Sequence, residues 1–144
     1  MTQRMTGQCL CGDVRFICEG ELKISICHCK MCQAWVGGPA FSAGFDLKVE
    51  FTEDKGLAWY DSSDFAQRGF CKTCGSSLFF RLKSDPDTIS PHTGCLDLPN
   101  GLKIANEIFV DDKPDFYAFE GCHARLTRAE VVEKMRELGL DVSE

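Results

Sequence analysis

The chain has 144 residues, 44% of them apolar, which is enough for one domain with its own core, and 1–144 is read as a single domain. Asp and Glu number 22 against 16 Lys and Arg, so the chain lacks the broad positive footprint of sequence-independent nucleic-acid binding. No segment approaches the roughly 18 apolar residues of a membrane span, and the opening MTQRMTGQCL has no apolar run resembling a signal peptide; the expectation is a cytoplasmic protein with no membrane partner and with reduced thiols.

Taken in chain order, apolar residues alternate in short runs: Val14, Phe16 and Cys18; Leu22, Ile24 and Ile26; Val49 and Phe51; Leu57 and Trp59; Leu78 and Phe80; Ile108 and Val110; and, less regularly, Phe116 and Phe119. A period of two marks half-buried strands. Between the runs, EGEL, VGGPA, TEDKG, KSDPD, LPNG and VDDKPD supply turn chemistry at the intervals of an antiparallel β protein. One helix is predicted from about 128 to 138. Thr127 and Glu130 form a capping box, and Val131, Val132, Met135 and Leu138 make one apolar stripe ending at Gly139. The expected fold is therefore mainly β, with antiparallel sheets and a C-terminal helix.

Seven of the ten cysteines fall in three clusters: Cys9 and Cys11 in GQCLCG, Cys27, Cys29 and Cys32 in CHCKMC, and Cys71 and Cys74 in FCKTCGSS. A tetrahedral zinc takes sulfurs at about 2.3 Å, and a C-x-C or C-x-x-C turn brings two to one ion. The glycines after Cys11 and Cys74 suit the tight backbone of such knuckles. If Cys9, Cys11, Cys71 and Cys74 close one site, the middle cluster offers three ligands to a second ion, and a fourth position left for water or substrate is the pattern of a catalytic zinc. Spacing also admits Cys27 and Cys29 joining one knuckle with Cys32 spare, or His28 or His123 as a fourth ligand. A dithiol couple at 71–74 or 29–32 is the redox alternative; such a motif usually opens a helix in a βαβ setting, and the sequence displays neither. Cys18 reads as a small buried hydrophobe, and Cys95 and Cys122 as structural.

The ordered set GQCLCGDVRF, CHCKMC…GGPAF, YDSSDFAQRGFCKTCGSSLFF, GCLD and IFVDDKPDFYAF resembles the glutathione-dependent formaldehyde-activating enzyme family, also described with the centromere protein V domain, from about residue 5 to 120. The resemblance implies a β-tent fold stapled by two zinc ions per chain, related to methionine-R-sulfoxide reductases. It implies a structural zinc on Cys9, Cys11, Cys71 and Cys74 and a second zinc on Cys27, Cys29 and Cys32, the catalytic set. The implied activity is that of a carbon–sulfur lyase condensing formaldehyde with glutathione to S-(hydroxymethyl)glutathione. Relatives often carry His ahead of the late IF, where this chain has Glu107; a carboxylate there can still accept a proton.

A small-molecule thiol such as glutathione needs its anionic end held. Candidates are a backbone nest at Gly37 and Gly38 and the cations Lys30 and Arg68, each with an ordinary reading as a turn or a solvated charge. His28, between two ligands, is expected to orient the loop or donate to a sulfur, because adjacent strand residues point apart. Trp35, Phe41, Trp59 and Phe70 read as core. Two other classes compete: a non-catalytic two-zinc protein-binding module with a side chain such as His123 in the fourth position, and a sulfoxide-reductase-like redox enzyme using a reactive Cys95. Oligomeric state is not encoded legibly.

Overall fold

A computed structural model describes residues 2–142. In chain order it contains β1 (Thr2–Gln8), β2 (Arg15–Glu21), β3 (Ile24–Cys27), α1 (Lys30–Val36), β4 (Ala40–Ser42), β5 (Lys48–Glu53), β6 (Leu57–Asp61), β7 (Ala66–Cys71), β8 (Ser77–Leu82), β9 (Asp85–Pro91), β10 (Ile104–Ile108), β11 (Ala124–Leu126) and α2 (Arg128–Glu137). The protein is mainly β, with 43% of residues in strands and 16% helical. Among the described residues no helix is long and apolar enough to cross a membrane. Contacts divide the chain into two compact units, 1–23 with 42–102 and 24–41 with 103–144.

The larger unit is a seven-stranded sheet in the order β1-β2-β5-β9-β8-β7-β6, each neighbour pair antiparallel. The alternation in β2 works as expected: Phe16 and Cys18 are buried while Arg15 and Glu19 face out. Phe79 of β8 is fully buried and meets the rings of Phe16, Phe51 and Trp59 at centroid separations of 4.9, 5.5 and 5.9 Å, in the range where offset and edge contacts add to burial. Met5, Val14, Leu47, Leu78 and Ile89 complete this core, and Cys9 and Cys71 are part of it.

The smaller unit holds a sheet in the order β11-β10-β3-β4. Here the antiparallel expectation needs amendment, because β10 runs parallel to both β3 and β11. Parallel neighbours need a long crossover, and residues 109–123 supply one between β10 and β11. Register places Glu107 opposite Ile26 on one side and Arg125 on the other, and Ile108 opposite Cys27.

Several elements differ from the sequence reading. Strands β1 and β7 lack clean alternation: β1 buries only Met5, and β7 buries Ala66, Arg68, Gly69 and Cys71 through its pairing on both sides. Strand β9 begins inside the KSDPD segment read as a breaker, since Pro86 lies in a stretch where no ladder N–H is required of it. The late strand stops at Ile108, where Phe109 adopts φ 56°, and Val110 enters a short 3-10 turn. Phe116 and Phe119 lie outside any strand. Helix α1 was not foreseen; its seven residues are too few to show a helical period, and it is held at its ends instead. Helix α2 has the expected capping box and buries Val131, but it ends at Glu137 and leaves Leu138 75% exposed, outside the stripe assigned to it.

The Thr127 side chain accepts from the Glu130 N–H at 3.3 Å, and the Glu130 carboxylate accepts from the Thr127 N–H at 3.1 Å. That backbone bond is the main reason the Glu130 carboxyl sits below its ordinary 4.5. A depressed carboxyl lends stability above its unfolded pKa and loses it as pH falls through the folded value. Amide protection in the first turn of α2, corrected for intrinsic exchange, should therefore drop below about pH 4.5; Glu130→Gln should remove that acid step, and Thr127→Ala should cost about 1 kcal/mol at neutral pH.

Candidate metal centres

Two groups of cysteines gather their sulfurs within 4.8 Å of one another, and each can hold a metal ion. In the larger unit these are Cys9, Cys11, Cys71 and Cys74. The sulfur of Cys11 lies 3.7 Å from Cys9 and 3.8 Å from Cys71. The edge of a tetrahedron with zinc–sulfur bonds of about 2.3 Å is about 3.8 Å, so the donor set fits zinc without rearrangement.

Local backbone explains how residues 60 apart reach this spacing. Both knuckles turn on glycines in the left-handed region, Gly12 at φ 86° and Gly75 at φ 81°, whose N–H groups bond back to Cys9 O at 3.3 Å and Cys71 O at 2.7 Å. Two residues that spacing did not single out join the knuckles. Gly56 receives a close approach: a Cβ there would sit 2.8 Å from Cys71 Sγ and 2.9 Å from Asp13 Cβ. Its N–H donates to Asp13 O and its C=O accepts from Lys72 N–H, so it bridges the two turns. Ser76 Oγ accepts from Leu10 N–H at 3.1 Å and lies 3.2 Å from Cys74 Sγ, to which its hydroxyl proton is then free to point. Gly56 sat within a recognised turn and Ser76 beside a knuckle; what the sequence could not show was that each faces the other knuckle.

Cys74, Cys9 and Cys11 differ in acidity. The Ser76 hydroxyl, then the Ser76 and Cys11 backbone amides, hold the Cys74 thiol down to about 5. Burial pushes Cys9 up, but the Val14 N–H at 3.3 Å and the neighbouring thiols outweigh it and leave the thiol below 9.0. Cys11 is favoured as a thiolate by the Asp13 amide, yet desolvation and the surrounding sulfurs push it up to about 12. Thiolates already present resist a further one, which is the electrostatic condition a dication relieves.

In the smaller unit Cys27, Cys29 and Cys32 form the second group, and among the described residues no His, Asp or Glu joins it. Cys27 ends β3, Cys29 is the N-cap of α1 with its sulfur accepting from Cys32 N–H at 3.3 Å, and Cys32 lies one turn in. Cys27 is pushed far above the usual thiol range, first by Cys29 and next by Cys32. The C-x-x-C at 29–32 does open a helix, contrary to the expectation from sequence, so the case against a dithiol couple no longer rests on that point; a third sulfur at the same place favours a metal over a two-sulfur redox pair.

His28 does not reach for this group. It is fully buried, with Nε2 2.7 Å from Glu107 Oε1 and Nδ1 3.0 Å from Tyr117 Oη. His123 Nε2 lies 2.5 Å from Glu107 Oε2, and Arg125 Nε lies 3.1 Å from the same oxygen. His123, considered as a fourth ligand, is thus committed to Glu107. Burial pushes the Glu107 carboxyl up, but the bonds from His123 and His28 and the Arg125 charge outweigh it and keep it ionised below its ordinary value. Burial also raises the Tyr117 phenol, keeping its proton available to His28.

The candidate substrate contacts fare unevenly. Lys30 is exposed at the first position of α1. The Gly37 N–H is taken by Gln33 O at 2.8 Å with Gly37 in the left-handed region, so it caps α1 and has no N–H to give an anion nest; Gly38 follows it with open space beside its Cα. Arg68, read as a solvated charge, is buried in β7 of the larger unit with its guanidinium 5.5 Å from the centre of the Phe80 ring. Trp59 packs on Phe79 under Arg81, and Phe41 meets Phe119 edge-on at 5.4 Å, in keeping with core roles; Trp35 and Phe70 are half-buried. All ten cysteines are free of disulfides. Cys95 lines a cleft of about 950 Å³ in the larger unit with Arg15, Ser76, His92 and Asp97, but burial pushes its thiol up to about 12 and its S–H donates to His92 O at 3.0 Å, poor preparation for a nucleophile. Cys122 is exposed.

Residues 4–112 match the family described as glutathione-dependent formaldehyde-activating enzyme. This chain belongs to that family. A Schizosaccharomyces pombe protein named as an uncharacterized lyase is 30% identical over 131 residues, 90% of this chain and 95% of its own length. A Halomonas elongata protein provisionally named a glutathione-dependent formaldehyde-activating enzyme is 23% identical, covering 95% of this chain and 98% of its own. A Rhodobacter sphaeroides protein of known crystal structure is 25% identical at a TM-score of 0.46, over 69% of this chain and 91% of that one, a likeness too loose to carry weight. The matched span takes in both cysteine groups.

Structural zinc binds with apparent free energies of about 10–16 kcal/mol, as large as the whole stability of a typical domain, and Cys71 is a fully buried core residue. Cys71→Ser should unfold the larger unit, whereas Cys29→Ser should leave the far-UV circular dichroism intact and lower the bound metal by one ion per chain in elemental analysis. Equal unfolding by both substitutions would remove the distinction between the sites.

Proposed function

We propose that the protein is a zinc-dependent carbon–sulfur lyase acting on a thiol adduct, with the joining of glutathione and formaldehyde to S-(hydroxymethyl)glutathione, and its reverse, as the leading reaction. The observation that carries this reading is the three-sulfur group: Cys27, Cys29 and Cys32 converge without a fourth protein ligand among the described residues, in a member of a family described by that activity. These cysteines would hold the ion, and zinc so bound favours the deprotonated form of a substrate thiol. The chemistry is an addition without redox change. The thiol gives up its proton, the sulfur pair forms the S–C bond, and the carbonyl π pair moves to oxygen, which takes a proton; the reverse breaks the same bond.

The chain's own contribution is placement. The N-cap of α1 orients Cys29 and Cys32, the end of β3 presents Cys27, and Phe109 and Val36 pack against the group to limit water. Lys30, exposed on the first turn of α1 beside Cys29, is our candidate cation for an anionic thiol substrate, the Gly37 N–H being spent in the cap. A purely structural two-zinc module remains the second reading, but His123 is not its fourth ligand, being tied to Glu107.

Titrating glutathione into protein whose sites are loaded with cobalt should change the thiolate-to-cobalt absorption of the three-sulfur site and leave the four-sulfur site unchanged, and Lys30→Ala should weaken that titration by up to about fivefold, as expected for one exposed charge contact. A spectrum indifferent to glutathione and other low-molecular-weight thiols would favour the binding module.

A further inference from the structure

We propose that Glu107 and His28 form a positioning device for the three-sulfur site: the Glu107 carboxylate, held by His123 and Arg125, locks the His28 ring and with it the peptide that carries Cys27 and Cys29. This rests on the reading of Cys27, Cys29 and Cys32 as metal ligands. Residue 28 has every polar group engaged. Its N–H donates to Ile108 O at 3.1 Å, its C=O accepts from Gln33 Nε2 at 2.7 Å, and its ring meets Glu107 at 2.7 Å and Tyr117 at 3.0 Å. Because its two chain neighbours are ligands, any rotation of this residue would swing two sulfurs at once. The Gln33 amide also donates to Asp112 O at 2.9 Å, tying the helix that bears Cys32 to the same frame.

The other end of the device is equally constrained. Glu107 lies on the central strand β10, 1% exposed, with Arg125 beside it in register on β11 and both carboxylate oxygens engaged by N–H donors. A buried ion pair adds little net stability over a well-packed apolar substitute, so what this one supplies is geometry. Adjacent positions at the end of β3 face opposite ways, which explains how His28 turns to Glu107 while Cys27 turns to the other sulfurs. Partners of this kind behind metal ligands are worth 10–100-fold in affinity. His28 and Glu107 are positioning residues: neither is placed to touch substrate.

The test uses the full-length protein with both sites loaded, with zinc for chelator competition and with cobalt for the thiolate-to-cobalt spectrum. Glu107→Gln keeps the shape and removes the charge. It should weaken one of the two ions 10–100-fold, alter the cobalt spectrum of the three-sulfur site, and leave the four-sulfur site and the far-UV circular dichroism unchanged. Tyr117→Phe, which removes only the hydroxyl facing His28, should shift the same ion in the same direction by less, and it decides the matter if Glu107→Gln does not fold. Unchanged affinity and spectrum at the three-sulfur site in the variant that decides, or both ions weakening together, would overturn the proposal. Wild-type protein that binds metal only at the four-sulfur site would instead overturn the metal reading beneath it, before any variant is made.

Discussion

Crowded sulfur is the constraint on which this protein is built. Thiolates about 4 Å apart repel by roughly 4 kcal/mol per pair at an effective dielectric of about 20, and the chain assembles one group of four and one of three within 4.8 Å. The acidities record the strain, with Cys74 drawn down by Ser76 while Cys11 and Cys27 are driven up by their neighbours. A dication would turn that repulsion into attraction, so each group is arranged to hold charge of the opposite sign.

The two groups use the backbone differently. The four-sulfur group draws on segments 60 residues apart and lies against the Phe16 and Phe79 core, with Gly56 and Ser76 spanning the two knuckles. Cys9 and Cys71 of this group are buried core residues, whereas Cys11 is exposed. The three-sulfur group comes from six consecutive positions, where a strand end passes directly into a helix N-cap. Ala40, Val36 and Phe109 pack against it, and the hydrogen bonds of Glu107, His28, Tyr117, Gln33 and His123 form a polar frame beside that small apolar cluster.

That frame also accounts for a carboxylate at position 107. Three N–H donors converge on the side chain from His28, His123 and Arg125, and only an ionised carboxylate can accept from all of them. Glu107, His123 and Arg125 therefore make sense together: a neutral histidine in place of the glutamate would offer one acceptor nitrogen to three donors.

Much was legible in one dimension. The C-x-C and C-x-x-C knuckles, the alternation of β2 and β5, and the Thr127–Glu130 capping box are all local, set by residues within a few positions of one another, and local chemistry survives in a linear string; β6 and β8 keep no such alternation, since β8 buries Leu78 and Phe79 on both faces. The family membership was legible for the same reason, carried by short ordered motifs. What only the tertiary structure decided depends on strands distant in the chain coming side by side. Parallel pairing puts Glu107 next to both Ile26 and Arg125, the return of β7 buries an arginine under Phe80, and α1 spends the Gly37 N–H that an anion would need. Each of those outcomes turns on register and on which polar groups are already spoken for, quantities that exist only once separate segments have met.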